Sequence, residues 1–239
     1  MSTIPPQTKL ILHIGHHKTG STSIQEAFAT HRVAVKGKRV LYPAQISHNY
    51  LPKQFDSWIR TGVAEKSTPG RPGLADLSAL LQARDFDYAV MSSEMFEPAK
   101  PAEFDKVVRH FLLPHVDDHA VICYVRPHAA RILSSYAEQV KVGLFEEGLP
   151  EFHQKMLGLG KLHYAPRLAE WSGIYGAHFV ARPMGRDILQ GGSVVEDFAR
   201  LAFGPEAELT ITEAAQANES LCLEDLVLVR LLQSHFRKQ

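Results

Sequence analysis

Cysteine is scarce in this 239-residue chain, with only Cys123 and Cys222 present. They form no metal-ligand spacing, so they read as buried reduced thiols, Cys123 in a strand and Cys222 in a helix. Net charge is absent too. The 26 Lys and Arg residues equal the 26 Asp and Glu residues, so global charge argues for neither a nucleic-acid nor a membrane partner, and any anion site must be built locally. No apolar run approaches the roughly 20 residues of a membrane span. The opening MSTIPPQTK has no basic region leading into an apolar core. These features lead to the expectation of a soluble, cytoplasmic protein. There is no internal repeat or low-complexity tract. The composition, 45% hydrophobic and 22% charged, suits one substantial α/β core, and a single domain over 1–239 is the default expectation.

The informative stretch is KLILHIGHHKTGSTSIQEAF, Lys9 to Phe28. Leu10 to Ile14 is short, apolar and bounded by Gly15, the pattern of a buried central strand, and a helix is expected from about Ser23. A strand, a tight glycine turn and a helix start aim backbone N–H groups and the positive end of a helix dipole at one point, which favours an anion there. Lys18 adds a charge, and the hydroxyls of Thr19, Ser21, Thr22 and Ser23 add donors on either side of Gly20. The nucleoside-triphosphate P-loop, G-x-x-x-x-G-K-[ST], places its lysine after the second glycine. Here Lys18 precedes Gly20. An ordinary strand, turn and capped helix would also account for this segment taken alone.

Further along, Lys36 to Pro43 reads as a turn and short strand, and Gln45 to Gly73, with isolated aromatics Tyr50, Phe55 and Trp58, as a functional loop, a lid or irregular helix. Leu74 to Arg84 and Pro101 to Leu113 have helical spacing. Tyr88 to Glu94 reads as an apolar strand ending in Ser92, Ser93 and Glu94. Ligands of a parallel α/β sheet lie beyond the carboxyl ends of its strands, so Glu94 stands where chemistry is expected. A carboxylate at a helix start would also fit that position. The strand Ala120 to Val125 is followed by Arg126 and by a helix from Pro127 carrying Arg131, Ser134 and Tyr136. Taken alone, Arg126 would also fit a surface ion pair and Ser134 a plain helix position, though a guanidinium can fork onto a phosphate and a hydroxyl two helical turns along can reach another oxygen. Tyr164 to Trp171 reads as helix, Ile174 to Pro183 as turn and strand, and Val194 to Leu201 as helix, with Trp171 and Phe198 in the core. From Ser220 a helix apolar around more than one face suits either deep burial or a meeting with another chain, which leaves a homo-oligomer open.

The order Lys-Thr-Gly-Ser-Thr straight after a first strand resembles the 5'-phosphosulfate loop of sulfotransferases that use 3'-phosphoadenosine-5'-phosphosulfate (PAPS). Arg126, Arg131, Ser134 and Tyr136 resemble the segment of that family that holds the 3'-phosphate. The resemblance runs along the chain in element order and is specific at His16 to Gln25 and Arg126 to Tyr136. It implies a three-layer α/β/α fold with a central parallel sheet, like that of P-loop nucleotide kinases. It also implies transfer of a sulfuryl group from PAPS to a hydroxyl or amine of an acceptor.

On that resemblance Lys18, Thr19, Gly20, Ser21, Thr22 and Ser23 hold the 5' end of the donor, and Lys18 neutralises the bridging oxygen as the nucleotide leaves. Arg126 and Ser134 bind the 3'-phosphate, and Glu94 is the general base. No metal is called for. His13, His16 and His17 lie close in sequence but at a strand end and loop, with no carboxylate or cysteine to complete a familiar ligand set. Carbohydrate, lipid and small-molecule acceptors all stay open, with selectivity expected in Gln45 to Gly73 and around Lys141 to Lys161. The alternatives are a nucleotide-dependent phosphotransferase, which would need magnesium and a second carboxylate near Lys18, and a non-catalytic nucleotide-binding protein on the same scaffold.

Overall fold

The structure, a computed structural model, describes residues 7–185, 187–212 and 223–236, without the side chains of Leu223 and Ser234. The described residues fall into two compact units, one from Met1–Val125 and Leu168–Glu213, the other from Arg126–Arg167 and Ala214–Gln239.

The first unit is built on a five-stranded sheet with every pairing parallel. Its strands are β1 (Lys9–His13), β3 (Val40–Leu41), β4 (Tyr88–Ser92), β5 (Asp118–Val125) and β6 (Phe179–Pro183), in the order β3-β4-β1-β5-β6. Strand alternation explains the layers, because successive side chains point to opposite faces. Leu10, Leu12, Ala89, Met91, Val121 and Cys123 face one apolar cluster. Ile11, Val90, Ile122 and Tyr124 face another. The first cluster is closed by α2 (Leu51–Thr61), α3 (Leu74–Gln82), α4 (Pro101–Phe111) and the later part of α7 (Tyr164–Tyr175), through residues such as Phe55, Leu77, Phe104 and Trp171. The second is closed by α1 (Ser21–Ala29) and α8 (Val194–Phe203), through Ile24, Phe28 and Phe198. Helices on both faces of a parallel sheet make a three-layer α/β/α fold.

Several elements differ from the sequence reading. Helix α1 begins at Ser21 rather than about Ser23. The stretch from Gln45 to Gly73, left open between loop, lid and irregular helix, contains a regular helix, α2, whose Leu51, Phe55, Trp58 and Ile59 recur at helical spacing against the first cluster. Pro52 in its first turn starts this helix rather than breaking it. The short strands β2 (Val33–Val35) and β7 (Leu209–Ile211) pair antiparallel outside the main sheet, a partnership that three-residue segments do not advertise. The Ser220, Leu221 and Cys222 start of the last expected helix lies outside the described residues.

The second unit is helical. It holds α5 (His128–Lys141), α6 (Leu149–Gly158), the start of α7 and α9 (Leu223–Phe236) around Tyr136, Val140, Phe152, Met156, Leu162 and Leu226. In α9 Leu226 is buried, while Val227, Leu228, Leu231, Leu232 and Phe236 are exposed. Among the described residues no helix is long and apolar enough to cross a membrane.

Candidate functional site

The strand order places β1 in the middle, next to β4, and the loops leaving these two strands meet at their carboxyl ends, where ligands of this fold class bind. The loop after β1 runs from Ile14 to Gly20. Lys18 and Gly20 both have positive φ, 67° and 77°, so the chain turns sharply into α1. Gly20 is the cap position of α1; among the described residues no side chain caps that end, and no acidic residue stands in its first turn. The first N–H groups of α1 are thus left for an incoming partner. The hydroxyls of this segment divide. Thr19 is fully buried and its Oγ donates to the His16 carbonyl at 2.6 Å, so its hydroxyl is turned into the loop. Ser21 Oγ is buried with no hydrogen-bond partner among the described residues. Thr22 and Ser23 are exposed, and Lys18 is half-buried.

The loop leaves no room for side chains at two points. A Cβ at Gly15 would lie 2.5 Å from Ser21 Oγ and 3.0 Å from the His13 ring, and one at Gly20 would lie 2.9 Å from Val194. Val194 opens α8, which is pinned by the buried Asp197. Tyr124 donates its hydroxyl to Asp197 at 2.6 Å, Arg182 donates through Nε and Nη2, and the Gln190 N–H donates at 3.0 Å. Burial by itself would raise the Asp197 pKa, yet these donors together hold it below the ordinary carboxylate value.

Glu94 follows β4 in a single 3₁₀ turn, Glu94–Phe96, capped by Ser93 Oγ, which accepts from the Met95 N–H at 3.2 Å. Glu94 Oε2 is 3.9 Å from His17 Nδ1 across the β1 loop. Three residues on, the buried Glu97 accepts the His17 backbone N–H at 2.9 Å. The structure thus brings the Lys18 to Ser23 loop and Glu94 to one end of one sheet. Glu97, which fastens the two segments, carried no signal in the sequence beyond its nearness to Glu94.

Beneath the loop lies a buried polar group centred on Ser92. Its Oγ is 2.7 Å from His13 Nδ1, its N–H donates to His48 Nδ1 at 3.1 Å, and its carbonyl accepts from the His48 N–H at 3.0 Å and from Gln25 Nε2 at 3.4 Å. Ser93 Oγ donates to Asn49 Oδ1 at 3.1 Å. Burial pushes the pKa of both His13 and His48 down to about 3, so both imidazoles are neutral at physiological pH. Strand parity could have exposed His13, since it shares a face with Ile11. His48 gave no such sign.

His13, His16 and His17 do not gather as metal ligands. Among the described residues a group of three with ligand atoms within 4.8 Å of one another is Asp118, His119 and His178, at the amino end of β5 and therefore at the opposite end of the strands from the β1 loop. There the two imidazoles stack at 4.2 Å and 15°.

The remaining expected residues belong to the second unit. Arg126 is the first residue after β5, and Ser134, half-buried, lies in α5. Tyr164 donates its hydroxyl to the Arg126 carbonyl at 3.0 Å and stacks on His128 at 4.6 Å and 12°. His128 Nε2 is 2.7 Å from the Leu162 carbonyl, and the Arg131 guanidinium lies 5.8 Å from the Tyr164 ring centre. Tyr164 therefore steadies the start of α5, a role no motif announced. Arg131 is almost fully buried. Tyr136 packs in the unit's core, and its hydroxyl donates to the Glu147 carbonyl at 3.2 Å and accepts from Arg230 at 3.1 Å.

Fold and site define a three-layer α/β/α protein with a helix-start loop and a carboxylate at the carboxyl ends of neighbouring central strands. No family model, curated protein or solved structure matches the chain.

Proposed function

We propose that the chain is a PAPS-dependent sulfotransferase. The observation that supports this best is the pairing of an uncapped α1 start, containing the buried unpartnered Ser21 hydroxyl, with Glu94 across the same loop. In this reading the N–H groups around Thr19 to Ser23 hold the 5'-phosphosulfate, and Lys18 offsets charge on the bridging oxygen. Arg126 and Ser134 hold the 3'-phosphate. The acceptor hydroxyl or amine attacks sulfur in line and gives its proton to Glu94. The sulfur–bridging oxygen bond breaks, and 3'-phosphoadenosine-5'-phosphate (PAP) leaves. Sulfuryl transfer, like phosphoryl transfer, asks the protein mainly for positioning and charge stabilisation.

Titration with PAP, ATP and adenosine 5'-phosphate, each with and without magnesium, tests the reading. PAP should bind most tightly and without regard to magnesium. A preference for ATP that depends on magnesium would replace the sulfotransferase with a phosphotransferase. PAP binding that persists without turnover of any acceptor would leave only a nucleotide-binding protein.

A further inference from the structure

A polar cleft of about 320 Å³ lies in the first unit, lined by Gln45, Ser47, Asn49, Tyr50 and Arg71 among others. One wall connects directly to the candidate active site, because Asn49 Oδ1 accepts the hydroxyl of Ser93, the residue before Glu94.

Arg71 is presented to this cleft by a rigid turn. The backbones of Thr68 and Arg71 exchange hydrogen bonds at 3.1 and 2.9 Å across Pro69 and Gly70, and Gly70 has φ 71°. Proline followed by a glycine of positive φ suits a type II turn. The turn is fastened to the cleft wall by the Gln45 N–H, which donates to the Gly70 carbonyl at 3.1 Å. A Cβ on Gly70 would lie 2.6 Å from Gln45 Oε1, so the contact leaves no slack. Among the described residues no carboxylate pairs with the Arg71 guanidinium.

The neighbouring phenol also lacks a partner. Tyr50 Oη is buried without a hydrogen bond among the described residues. Burial pushes its pKa up, and the nearby Arg71 charge acts in the opposite sense. A planar cationic fork, an unused phenolic O–H and the amides of Gln45 and Asn49 make a receptor for an oxyanion.

We propose that Arg71 is a specificity residue of the acceptor site and that the acceptor carries an oxyanion of its own, a carboxylate or a sulfate ester, besides its nucleophile. The proposal rests on the sulfotransferase reading for its acceptor role. It turns the open choice among carbohydrate, lipid and small molecule into a requirement for an acidic group.

Methyl glucuronide, methyl glucoside 6-sulfate and methyl glucoside differ in one substituent and serve as probes. Each is titrated into the full chain by heteronuclear NMR in the presence of excess PAP, with wild-type protein, Arg71→Ala and Arg71→Lys. The better charged probe should bind at least about tenfold more tightly than the neutral one, the range expected for a charge-assisted hydrogen bond. Arg71→Ala should erase that advantage and Arg71→Lys should keep part of it. The stronger of the two charged probes tells carboxylate from sulfate ester. Equal binding of all three, binding of none, or an advantage that survives Arg71→Ala overturns the proposal. PAP affinity, measured separately, keeps the two readings apart. Normal PAP affinity with no charged-probe advantage removes the acidic acceptor alone, whereas an Arg71-dependent advantage without PAP binding removes the sulfotransferase and with it the acceptor role.

Discussion

His13 Nδ1 lies 2.7 Å from Ser92 Oγ, with both side chains buried and their residues paired in register at the ends of β1 and β4. The residues that follow them are the β1 loop and Glu94, so this contact sets the footing of both halves of the candidate site. Ser92→Ala leaves the imidazole nitrogen buried without that partner, which should cost about 1–3 kcal/mol. Urea denaturation measures it, with the exposed Thr22→Ala as a control expected within about 0.5 kcal/mol of wild type. Equal midpoints for the two variants would show that the contact carries no stability.

Acid should weaken the fold through His13 and His48. Each has a native pKa of about 3 against an ordinary 6.5. Between those values the unfolded chain binds more protons than the native one. Stability is therefore complete above pH 6.5 and falls as pH drops, by up to about 1.4 kcal/mol per pH unit for each imidazole. Urea midpoints at pH 7.5 and 5.0 give the slope. Imidazole NMR titration gives the assignment, and a native His13 or His48 titrating near 6.5 would contradict it.

Lys18 holds a left-handed backbone conformation, φ 67°, that a non-glycine residue enters at a cost. Lys18→Gly relieves that cost and removes the ammonium. Thermal stability should hold or rise by the equivalent of about 1 kcal/mol, while sulfuryl transfer is lost. A variant that melts lower, or that keeps its transfer rate, would place the value of Lys18 elsewhere.

Glu94→Gln keeps the side-chain volume and removes the proton acceptor. If the sulfotransferase reading holds, PAP affinity should stay within about twofold of wild type while turnover falls by about two to four orders of magnitude. Stopped or steady-state assays with any accepted hydroxyl or amine decide it. Unchanged turnover would remove Glu94 from the chemistry.

Arg126→Ala should weaken PAP by about tenfold to a hundredfold, the worth of one charge-assisted contact to phosphate. Adenosine 5'-phosphate, which lacks the 3'-phosphate, should bind the variant and wild type alike. A matching loss for both nucleotides would point to damage at α5 rather than to a phosphate contact.

Much of the fold was legible because it was locally periodic. Leu10 to Ile14 announced a central strand, Tyr88 to Glu94 and Ala120 to Val125 announced strands, of which the first ends at Ser92, and Phe104, Val107 and Val108 announced α4. The α2 signal was present in Leu51, Phe55, Trp58 and Ile59, but Pro52 and the polar residues between them masked it. β2 and β7 were not legible, since each is three residues long and Val33 finds Ile211 far away in sequence. In the candidate site Lys18 and Glu94 stood out by type and position. Glu97, His48 and Arg71 did not, because each draws its meaning from a segment remote along the chain.

The sequence by itself determined that the first strand would be central, that a lysine-bearing loop would lead into a helix start, and that a carboxylate would stand at a strand's end. Apolar spacing and glycine placement act over a few residues, so they can be read locally. Only the tertiary structure decided that Thr19 turns its hydroxyl inward, that Ser21 finds no hydrogen-bond partner among the described residues, that His13 and His48 are neutral, and that Arg71 overlooks a polar cleft. Desolvation and hydrogen-bond partners depend on what closes over a side chain from elsewhere in the molecule, and no local pattern encodes that.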